Sequence, residues 1–200
     1  QILLSRTCDD FLFRLFEIEV PEIADGTVEL ISVARDPGVR AKIGVLSHDR
    51  NVDPVGACVG LRGARIQSIV RELRGEKIDI IEWTDDPGEL ISRAITPAKV
   101  QSAQVHSAER AVDIVVADDQ LALAIGKRGQ NAKLAVRLTK WRINILSESE
   151  RKVAAQASFE RAFSQADVDE PDLEDDDTNP SLNDDNNDVA DERDDADSEL

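Results

Sequence analysis

Gly126-Lys127-Arg128-Gly129 is the most informative stretch of this sequence, because it stands between two helix-like runs and has a second copy earlier in the chain. That copy, Gly60-Leu61-Arg62-Gly63, lies 66 positions before it. Each copy follows a short apolar run and precedes a run with apolar residues at helical spacing. A short strand-like segment comes next in both cases, at 77–81 and 142–146. The chain therefore contains a duplicated helix–GxxG–helix–strand unit.

The same order of elements precedes each of these units. In the first half, Asp9 or Asp10 can cap a helix around 11–16, and two strands flank the turn Asp36-Pro-Gly38. The predicted strands of this half are 28–33 and 40–45. The second half repeats the pattern with a capped helix and two strands, at 86–95, 99–106 and 111–117. Each half thus reads α–β–β–α–GxxG–α–β, which predicts an α+β fold with two consecutive domains.

Charge is distributed unevenly along the chain. The formal net charge is -17, but residues 166–200 hold 17 Asp and Glu side chains against Arg193 alone. Residues 54–147 carry 14 basic and 11 acidic side chains and are mildly basic. The acidic segment has few apolar residues to bury, so we expect 166–200 to be a disordered tail. An amphipathic helix or linker is expected at 148–165.

Other chemistries have weak support in the sequence. Cys8, Cys58, His48 and His106 are scattered, so we expect neither a disulfide nor a metal site, and a reducing cytoplasm fits this usage. No ATPase loop or convincing catalytic carboxylate pair is found, and we expect no enzyme activity and no cofactor. Asp85-Asp86 and Asp118-Asp119 precede helix patterns and are interpreted as N-caps. No apolar run approaches 18 residues, so no membrane span or membrane partner is expected.

A GxxG loop that opens a helix is suited to binding a nucleic-acid phosphate. The helix N-terminus exposes backbone N–H groups and a partial positive charge, and glycine lets a sugar-phosphate strand approach closely. Lys127 and Arg128 give the second loop two cations, whereas the first has only Arg62, so we expect the second to bind more strongly. The candidate nucleic-acid-binding residues are Gly60, Leu61, Arg62, Gly63, Arg65, Gly126, Lys127, Arg128, Gly129, Gln130, Asn131 and Lys133.

The same residues have simpler structural interpretations. The loop glycines can be helix caps or tight-turn residues, although two copies in matching contexts argue against this. Apolar faces on the helices after the loops are expected to be core, with Gln130, Asn131 and Lys133 left to reach a nucleic acid. Trp83 and Trp141 are expected in the core or at its edge. Solvent-facing positions are expected for Arg71, Arg74, Arg137, Lys140 and Arg142.

About residues 1–147 resemble the tandem K-homology (KH) region of the NusA family of bacterial transcription elongation and termination factors. The resemblance is strongest in Asp53-Pro-Val-Gly-Ala-Cys-Val-Gly-Leu-Arg-Gly-Ala-Arg65 and in Leu123-Ala-Ile-Gly-Lys-Arg-Gly-Gln-Asn131. It implies two type II KH folds that bind single-stranded nascent RNA on one extended surface. It also implies RNA polymerase as a partner and a role in pausing, termination and antitermination.

Domain limits follow from the pattern and the resemblance together. We expect a remnant of a preceding S1-like domain at 1–6, KH domains at 7–84 and 85–147, a helix or linker at 148–165 and the acidic tail at 166–200. The sequence contains no Met, which suggests a C-terminal piece of a longer protein. We expect a monomer. Two alternatives stay open: a protein-docking scaffold with incidental RNA binding, and the targeting domain of an enzyme.

Overall fold

The computed structural model describes residues 4–166, with side chains up to residue 158. The first repeat begins with helices α1 (Asp9–Glu19) and α2 (Pro21–Ala24), and a hairpin of β1 (Val28–Asp36) and β2 (Arg40–Ser47) follows. Next come α3 (Pro54–Val59), the first GxxG loop, α4 (Ala64–Glu72) and β3 (Lys77–Glu82). Helices α1 and α2 are separated at Val20, because the residue before a proline avoids the helical conformation.

The second repeat has the same order. It contains α5 (Pro87–Ala94), β4 (Val100–His106), β5 (Ala111–Val116), α6 (Leu121–Ile125), the second GxxG loop, α7 (Gln130–Thr139) and β6 (Arg142–Ser147). A final helix, α8 (Glu148–Ala166), follows. The α+β architecture of two consecutive domains expected from the sequence is confirmed, and the α–β–β–α–GxxG–α–β order holds in both halves.

The two sheets have the same topology. In each, the first two strands are antiparallel and the third runs parallel to the second, in the orders β1-β2-β3 and β4-β5-β6. Each first strand is irregular at an equivalent place, between Leu30 and Ser32 in β1 and between Val100 and Ser102 in β4. The duplication seen in the sequence therefore extends to the detail of strand register.

The two repeats pack against each other through the first sheet. One face of that sheet forms a core with α1 and α4, around Phe16, Ile43 and Ile69. On the other face, Ala34 and Ile81 join the core of the second repeat, which includes Leu134 and other residues of α5 and α7. We call this contact, where α7 and α5 meet the first sheet, the seam. Because of the seam, the described residues up to Arg161 form one compact unit.

Two local expectations are wrong, and a third concerns residues that lie partly outside the described part. Asp9 and Asp10 lie in the first turn of α1, where carboxylates favour the helix dipole, and the N-cap is Cys8. Asp118 does not cap α6; it accepts hydrogen bonds from the backbone N–H and hydroxyl of Ser149 at the start of α8. The remnant of a preceding domain expected at 1–6 lies partly in residues 1–3, outside the described part, and residues 4–6 belong to neither a helix nor a strand.

The helix expected after residue 147 is present as α8. Its first turn is held by a reciprocal capping box, in which Ser147 Oγ accepts from the Glu150 N–H and the Glu150 carboxylate accepts from the Ser147 N–H. The predicted disordered tail lies outside the described residues, apart from Ala166 at the end of α8. No helix within residues 4–166 is long and apolar enough to cross a membrane.

Candidate nucleic-acid interface

The two GxxG loops have the same backbone conformation. Gly60 has φ 73° and ψ 174°, and Gly126 has φ 76° and ψ 171°, a region that only glycine occupies readily. The third residue of each loop, Arg62 or Arg128, is left-handed, with φ 52° and 56°. The closing glycines, at φ 78° and 73°, are left-handed as well. Two segments 66 residues apart are thus bent into one shape.

Each loop opens a helix whose first N–H groups have no side-chain cap. The N-caps of α4 and α7 are Gly63 and Gly129, and neither position makes a side-chain hydrogen bond. By contrast, Asp53 caps α3 and Asp86 caps α5 with their carboxylates. A glycine at the N-cap leaves the helix N-terminus open to an external acceptor such as a phosphate oxygen.

The middle positions of the loops face solvent. Lys127 and Arg128 are both exposed, and so is Arg62. Leu61, which takes the place of Lys127 in the first loop, leaves 85% of its surface accessible. The loops therefore differ in chemistry while sharing a backbone, because the second presents two cations and the first presents one cation and an apolar side chain.

Arg65, expected beside the RNA, is engaged by the protein. Its NH1 donates to the backbone carbonyl of Ala57 at 2.6 Å and to the Glu22 carboxylate at 2.9 Å. The aliphatic part of this side chain also lies under the first loop, since a Cβ on Gly60 would be 2.7 Å from Arg65 Cγ. Arg65 thus supports the loop and the end of α3.

Asn131 was expected to be free to reach a nucleic acid, and this is wrong. Its side chain is buried, with 2% of the residue accessible, and its Nδ2 donates to the carbonyls of Ile95 and Ala124. The physical reason is the close approach at Gly126, where an added Cβ would lie 2.7 Å from Asn131 Cβ. Asn131 occupies the position equivalent to Arg65, five residues after the first loop glycine, and both tie the loop to the preceding helix.

Gln130 and Lys133 have different surroundings. The Gln130 amide donates to the Asp36 carboxylate of the first repeat, so this side chain bridges the seam. Lys133 is exposed on α7, and its Cε lies 3.6 Å from where a Cβ on Gly129 would stand. Lys133 is therefore the flanking residue that can most readily contact a strand held at the second loop.

The seam brings in residues that the sequence analysis did not connect with the site. Arg137, expected to face solvent, donates from NH1 to the backbone carbonyl of Arg35 at 2.8 Å. Ser32 Oγ donates to the Leu138 carbonyl at 3.0 Å. Both bonds fix α7, and with it the second GxxG loop, on the sheet of the first repeat.

Lys42 is fully buried at the seam. Its Nζ donates to Asp79 Oδ2 at 2.8 Å and to the Thr96 carbonyl of the second repeat at 2.9 Å. Burial lowers the pKa of Lys42, and the Asp79 carboxylate partly opposes that effect. For Asp79, burial acts to raise the pKa, but hydrogen bonds from Arg40 and Lys42 outweigh it and the pKa is lowered. Asp79 thus holds the Lys42 ammonium within the first repeat, and the bond from Lys42 to the Thr96 carbonyl ties the two repeats together.

One further titratable group, a thiol in α3, has a strongly shifted pKa. Burial raises the pKa of the Cys58 thiol to about 12, so this cysteine is protonated at neutral pH. Within the described part of the chain, no three His, Cys, Asp or Glu side chains are grouped so that they could hold a metal ion. Trp83 and Trp141 pack half-buried on the second core, as expected.

Comparison with known proteins matches both repeats. Residues 6–83 match the model of the NusA-like first KH domain, and residues 87–153 match that of the NusA-like second KH domain. The chain belongs to the NusA family. A transcription termination/antitermination protein NusA from Halalkalibacterium halodurans is 58% identical over 150 residues, which are 75% of this chain and 39% of that protein. The transcription termination/antitermination protein NusA from Bacillus subtilis is 57% identical over 152 residues, which are 76% of this chain and 41% of that protein.

The chain thus spans about two fifths of the length of these NusA relatives. A solved structure described as "Crystal structure of APE1850" aligns at TM-score 0.48 with 21% identity, over 68% of this chain and 96% of that chain. The loop at 60–63 lies in the stretch that matches the NusA-like first KH domain, and the loop at 126–129 lies in the stretch that matches the second.

Proposed function

We propose that this chain binds single-stranded RNA through its two GxxG loops, without catalysis. The observation that carries the proposal is the pair of loops with one backbone conformation, each opening a helix whose N-cap is a glycine. KH domains clamp the backbone of about four nucleotides on such a loop. Two loops on one compact unit can hold two parts of one strand.

The contacts we propose centre on the loops. They are Gly60 to Gly63 and Gly126 to Gly129, with Lys133 and Gln130 beside the second loop. Arg65 and Asn131 are assigned to holding the loops in shape. Lys127 and Arg128 give the second loop the larger share of the affinity, because each cation adds attraction to a phosphate.

We further propose the cellular role that the names of the relatives suggest. The chain would be part of a cytoplasmic, monomeric transcription factor that contacts nascent RNA and RNA polymerase and modulates pausing, termination and antitermination. We also propose domain limits of 7–84 and 85–147 for the two KH units. The relatives named above are described as transcription termination/antitermination proteins, which supports this role.

The test is a fluorescence-anisotropy titration of a labelled single-stranded RNA of about twelve nucleotides across a salt series. The variant Lys127→Asp/Arg128→Asp should lose most of the affinity, and Arg62→Asp should lose less. The wild-type log–log salt slope should be roughly -2 to -4, since each phosphate contact on a single strand contributes about -0.7. The double variant should flatten that slope.

A matched control changes the net charge equally at a distance from the loops. Arg50→Asp/Arg151→Asp replaces two exposed cations, one after β2 and one in α8, and should bind RNA nearly as the wild type does. If both double variants bind alike, charge alone drives the binding and the loop assignment is wrong. If no protein binds RNA, the docking-scaffold alternative takes its place.

A further inference from the structure

A buried ion pair lies at one end of the first sheet, where the chain enters the first repeat. Arg35 of β1 and Glu76, directly before β3, are 4% and 0% accessible. Arg35 donates from Nε and Nη2 to the two carboxylate oxygens of Glu76, at 2.7 and 2.9 Å. One of these oxygens also accepts from the Gly38 N–H in the β1–β2 turn, at 2.8 Å. The guanidinium is thus held in one orientation by a bidentate pair.

The third nitrogen of the Arg35 guanidinium holds the segment by which the chain enters the first repeat. Its Nη1 donates to the backbone carbonyls of Arg6 and Cys8, at 2.8 and 3.0 Å. The Arg6 side chain donates in turn to the carbonyl and the carboxylate of Glu72, at the end of α4. We call residues 4–8 the entering segment. Because these residues form neither a helix nor a strand, the side-chain bonds fasten them to the first repeat.

The backbone of Arg35 faces the second repeat. Its carbonyl accepts from Nη1 of Arg137 in α7, at 2.8 Å, so it is part of the seam. Arg35 therefore contacts the entering segment through its side chain and the second repeat through its main chain. A donor set of this kind needs arginine, because the planar guanidinium can bond a carboxylate along one edge and further acceptors with its remaining N–H groups.

The second repeat shows that the fold does not require charges at these positions. Val105 is the counterpart of Arg35, since each stands one residue before the end of the first strand of its sheet and pairs with the second residue of the next strand. Trp141 is the counterpart of Glu76, since each directly precedes the third strand. Apolar residues thus take the place of the ion pair. A buried ion pair contributes little net stability compared with apolar residues of similar size, so another role for it is indicated.

The starts of the corresponding helices differ in the same way. Asp86 caps α5 with its carboxylate, and a Cβ on Gly88 in the first turn would lie 3.3 Å from the Val105 side chain. Cys8, at the N-cap of α1, makes no side-chain cap bond, and its carbonyl accepts from Arg35. The second repeat therefore fixes the chain here by a local cap and apolar packing, whereas the first uses Arg35, which also contacts the other repeat.

We infer that Arg35 is a positioning residue that fixes the direction of the entering segment relative to the second repeat. The two GxxG loops belong to the same compact unit as the seam, so the entering segment is held at a set orientation to both loops. A polypeptide joined ahead of residue 4 would take its orientation from this contact. The inference goes beyond RNA binding, because the bonds that carry it involve no residue of either loop.

The test measures the distance between two nitroxide labels by double electron–electron resonance. One label is placed at Leu4→Cys, 94% accessible, and the other at Val136→Cys on α7, 37% accessible, in a Cys8→Ser background that keeps the backbone carbonyl. Cys58 stays unlabelled, because it is buried and its pKa is raised to about 12. With Arg35 in place the distance distribution should be narrow, since the entering segment is held.

Two changes at Arg35 separate its charge from its bonds to the entering segment. Arg35→Met/Glu76→Met replaces the pair by apolar side chains of similar size and should widen the distance distribution about twofold or more, with a urea midpoint close to that of the wild type. Arg35→Lys keeps a charge beside Glu76, but a single ammonium cannot also reach both carbonyls, so the distribution should widen as well. A labelled single-stranded RNA of about twelve nucleotides should bind both variants within about twofold of the wild type, because no loop residue is changed.

Arg40→Lys is the matched control. Arg40 also donates to both oxygens of a carboxylate, that of Asp79 at 2.8 and 2.9 Å, but these bonds join β2 to β3, so the distance distribution should stay unchanged. Narrow distributions in both Arg35 variants, or an equal widening in Arg40→Lys, would show that the inference is wrong. A fall in the urea midpoint and in RNA affinity together with the widening would overturn it too, because Arg35 would then support the whole compact unit. The distances are measured without RNA, so they decide the inference even if the proposed RNA binding fails.

Discussion

At the scale of single residues, the loop shape depends on glycines whose surroundings differ between the repeats. Gly60 and Gly126 share the same dihedral region, so an added side chain would be strained equally at both. The neighbours are different, however. A Cβ on Gly60 would meet the Arg65 side chain, whereas a Cβ on Gly126 would meet the backbone nitrogen of Asn131 at 2.9 Å. A side chain can move aside, but the first turn of α7 cannot.

We therefore expect Gly126→Ala to destabilise the protein more than Gly60→Ala. Backbone strain of about 1–3 kcal/mol applies to both variants, and the contact with the α7 backbone adds to it only at Gly126. Urea unfolding followed by circular dichroism measures the two losses. The loop glycine Gly129 is left-handed, a region that other residues adopt at smaller cost, and a Cβ there would come no closer than 3.6 Å to Lys133, so Gly129→Ala should be the mildest of the three changes. Equal losses for all three alanine variants would contradict this account.

Residue roles were only partly predictable from sequence. The loop glycines and cations lie in the two loops that the repeated motif predicted, because the backbone conformation of such a loop depends mainly on its own four residues. Asn131 was misread as free, and the bond from Arg65 to the Ala57 carbonyl was not foreseen, because helical spacing says which face a residue occupies but not whether a neighbouring carbonyl is within reach. The equivalent position of these two residues after each loop was the available signal for a shared structural role.

At the scale of elements, the helices capped by an aspartate carboxylate, α3 and α5, differ from α4 and α7, whose N-caps are glycines. The Asp86 carboxylate accepts from the N–H groups of Gly88 and Glu89 at 2.8 and 3.0 Å, and this fixes the start of α5. α5 contributes Ile91 and Ala94 to the core that continues across the seam to Ala34. Capping of α5 is thus linked to the packing that positions the second repeat.

Asp86→Ala should lower the free energy of unfolding by about 1 kcal/mol, because two N–H groups lose their acceptor. Asp85→Ala, one residue earlier, makes the same chemical change at an exposed carboxylate outside the cap and should cost less than about 0.5 kcal/mol. Chemical denaturation of both variants checks the difference. Should the two losses be alike, the cap would carry no stability of its own.

Element order was predictable, whereas element ends were less so. Alternating apolar residues predicted β1 as far as Val33, but the strand continues to Asp36, because Ala34, Arg35 and Asp36 pair with β2 in the antiparallel ladder. Local propensity could not show this, since the pairing partner decides where a strand ends. Asp118 was misassigned for a similar reason, as its acceptor role depends on α8, which folds back onto the end of β5.

At the scale of the whole molecule, the seam was the feature that sequence could not show. Its polar members, such as Ser32 and Lys42, occupy alternate strand positions that are typical of a solvent-facing sheet surface. The structure instead uses that surface to carry the second repeat, through Lys42 and Arg137 bonding to carbonyls of the opposite unit. The relative placement of the two GxxG loops therefore depends in part on these polar contacts across the seam.

The same contacts predict how stability depends on pH when the seam is altered. Asp79→Asn removes the negative charge beside Lys42, which stays buried without a full counter-charge, and should lower the unfolding free energy by about 3 kcal/mol at neutral pH. Burial lowers the pKa of Lys42 in the folded protein, and loss of Asp79 lowers this pKa further. Between that pKa and the ordinary lysine value of 10.5, the unfolded chain binds more protons than the folded one. Stability of the variant relative to the wild type should therefore rise as pH increases.

Urea titrations at several pH values, from about pH 7 to about pH 10, measure this relative stability directly. Asp119→Asn is the control, because Asp119 is exposed and its carboxylate accepts only from the neighbouring Gln120 side chain within the described residues. A deficit for Asp79→Asn that shrinks toward alkaline pH would show that the cost arises from the charge of Lys42. A loss of unfolding free energy that is constant over the whole pH range would mean that Asp79 acts through hydrogen bonding alone. The attribution of the loss to the charge of Lys42 would then be wrong.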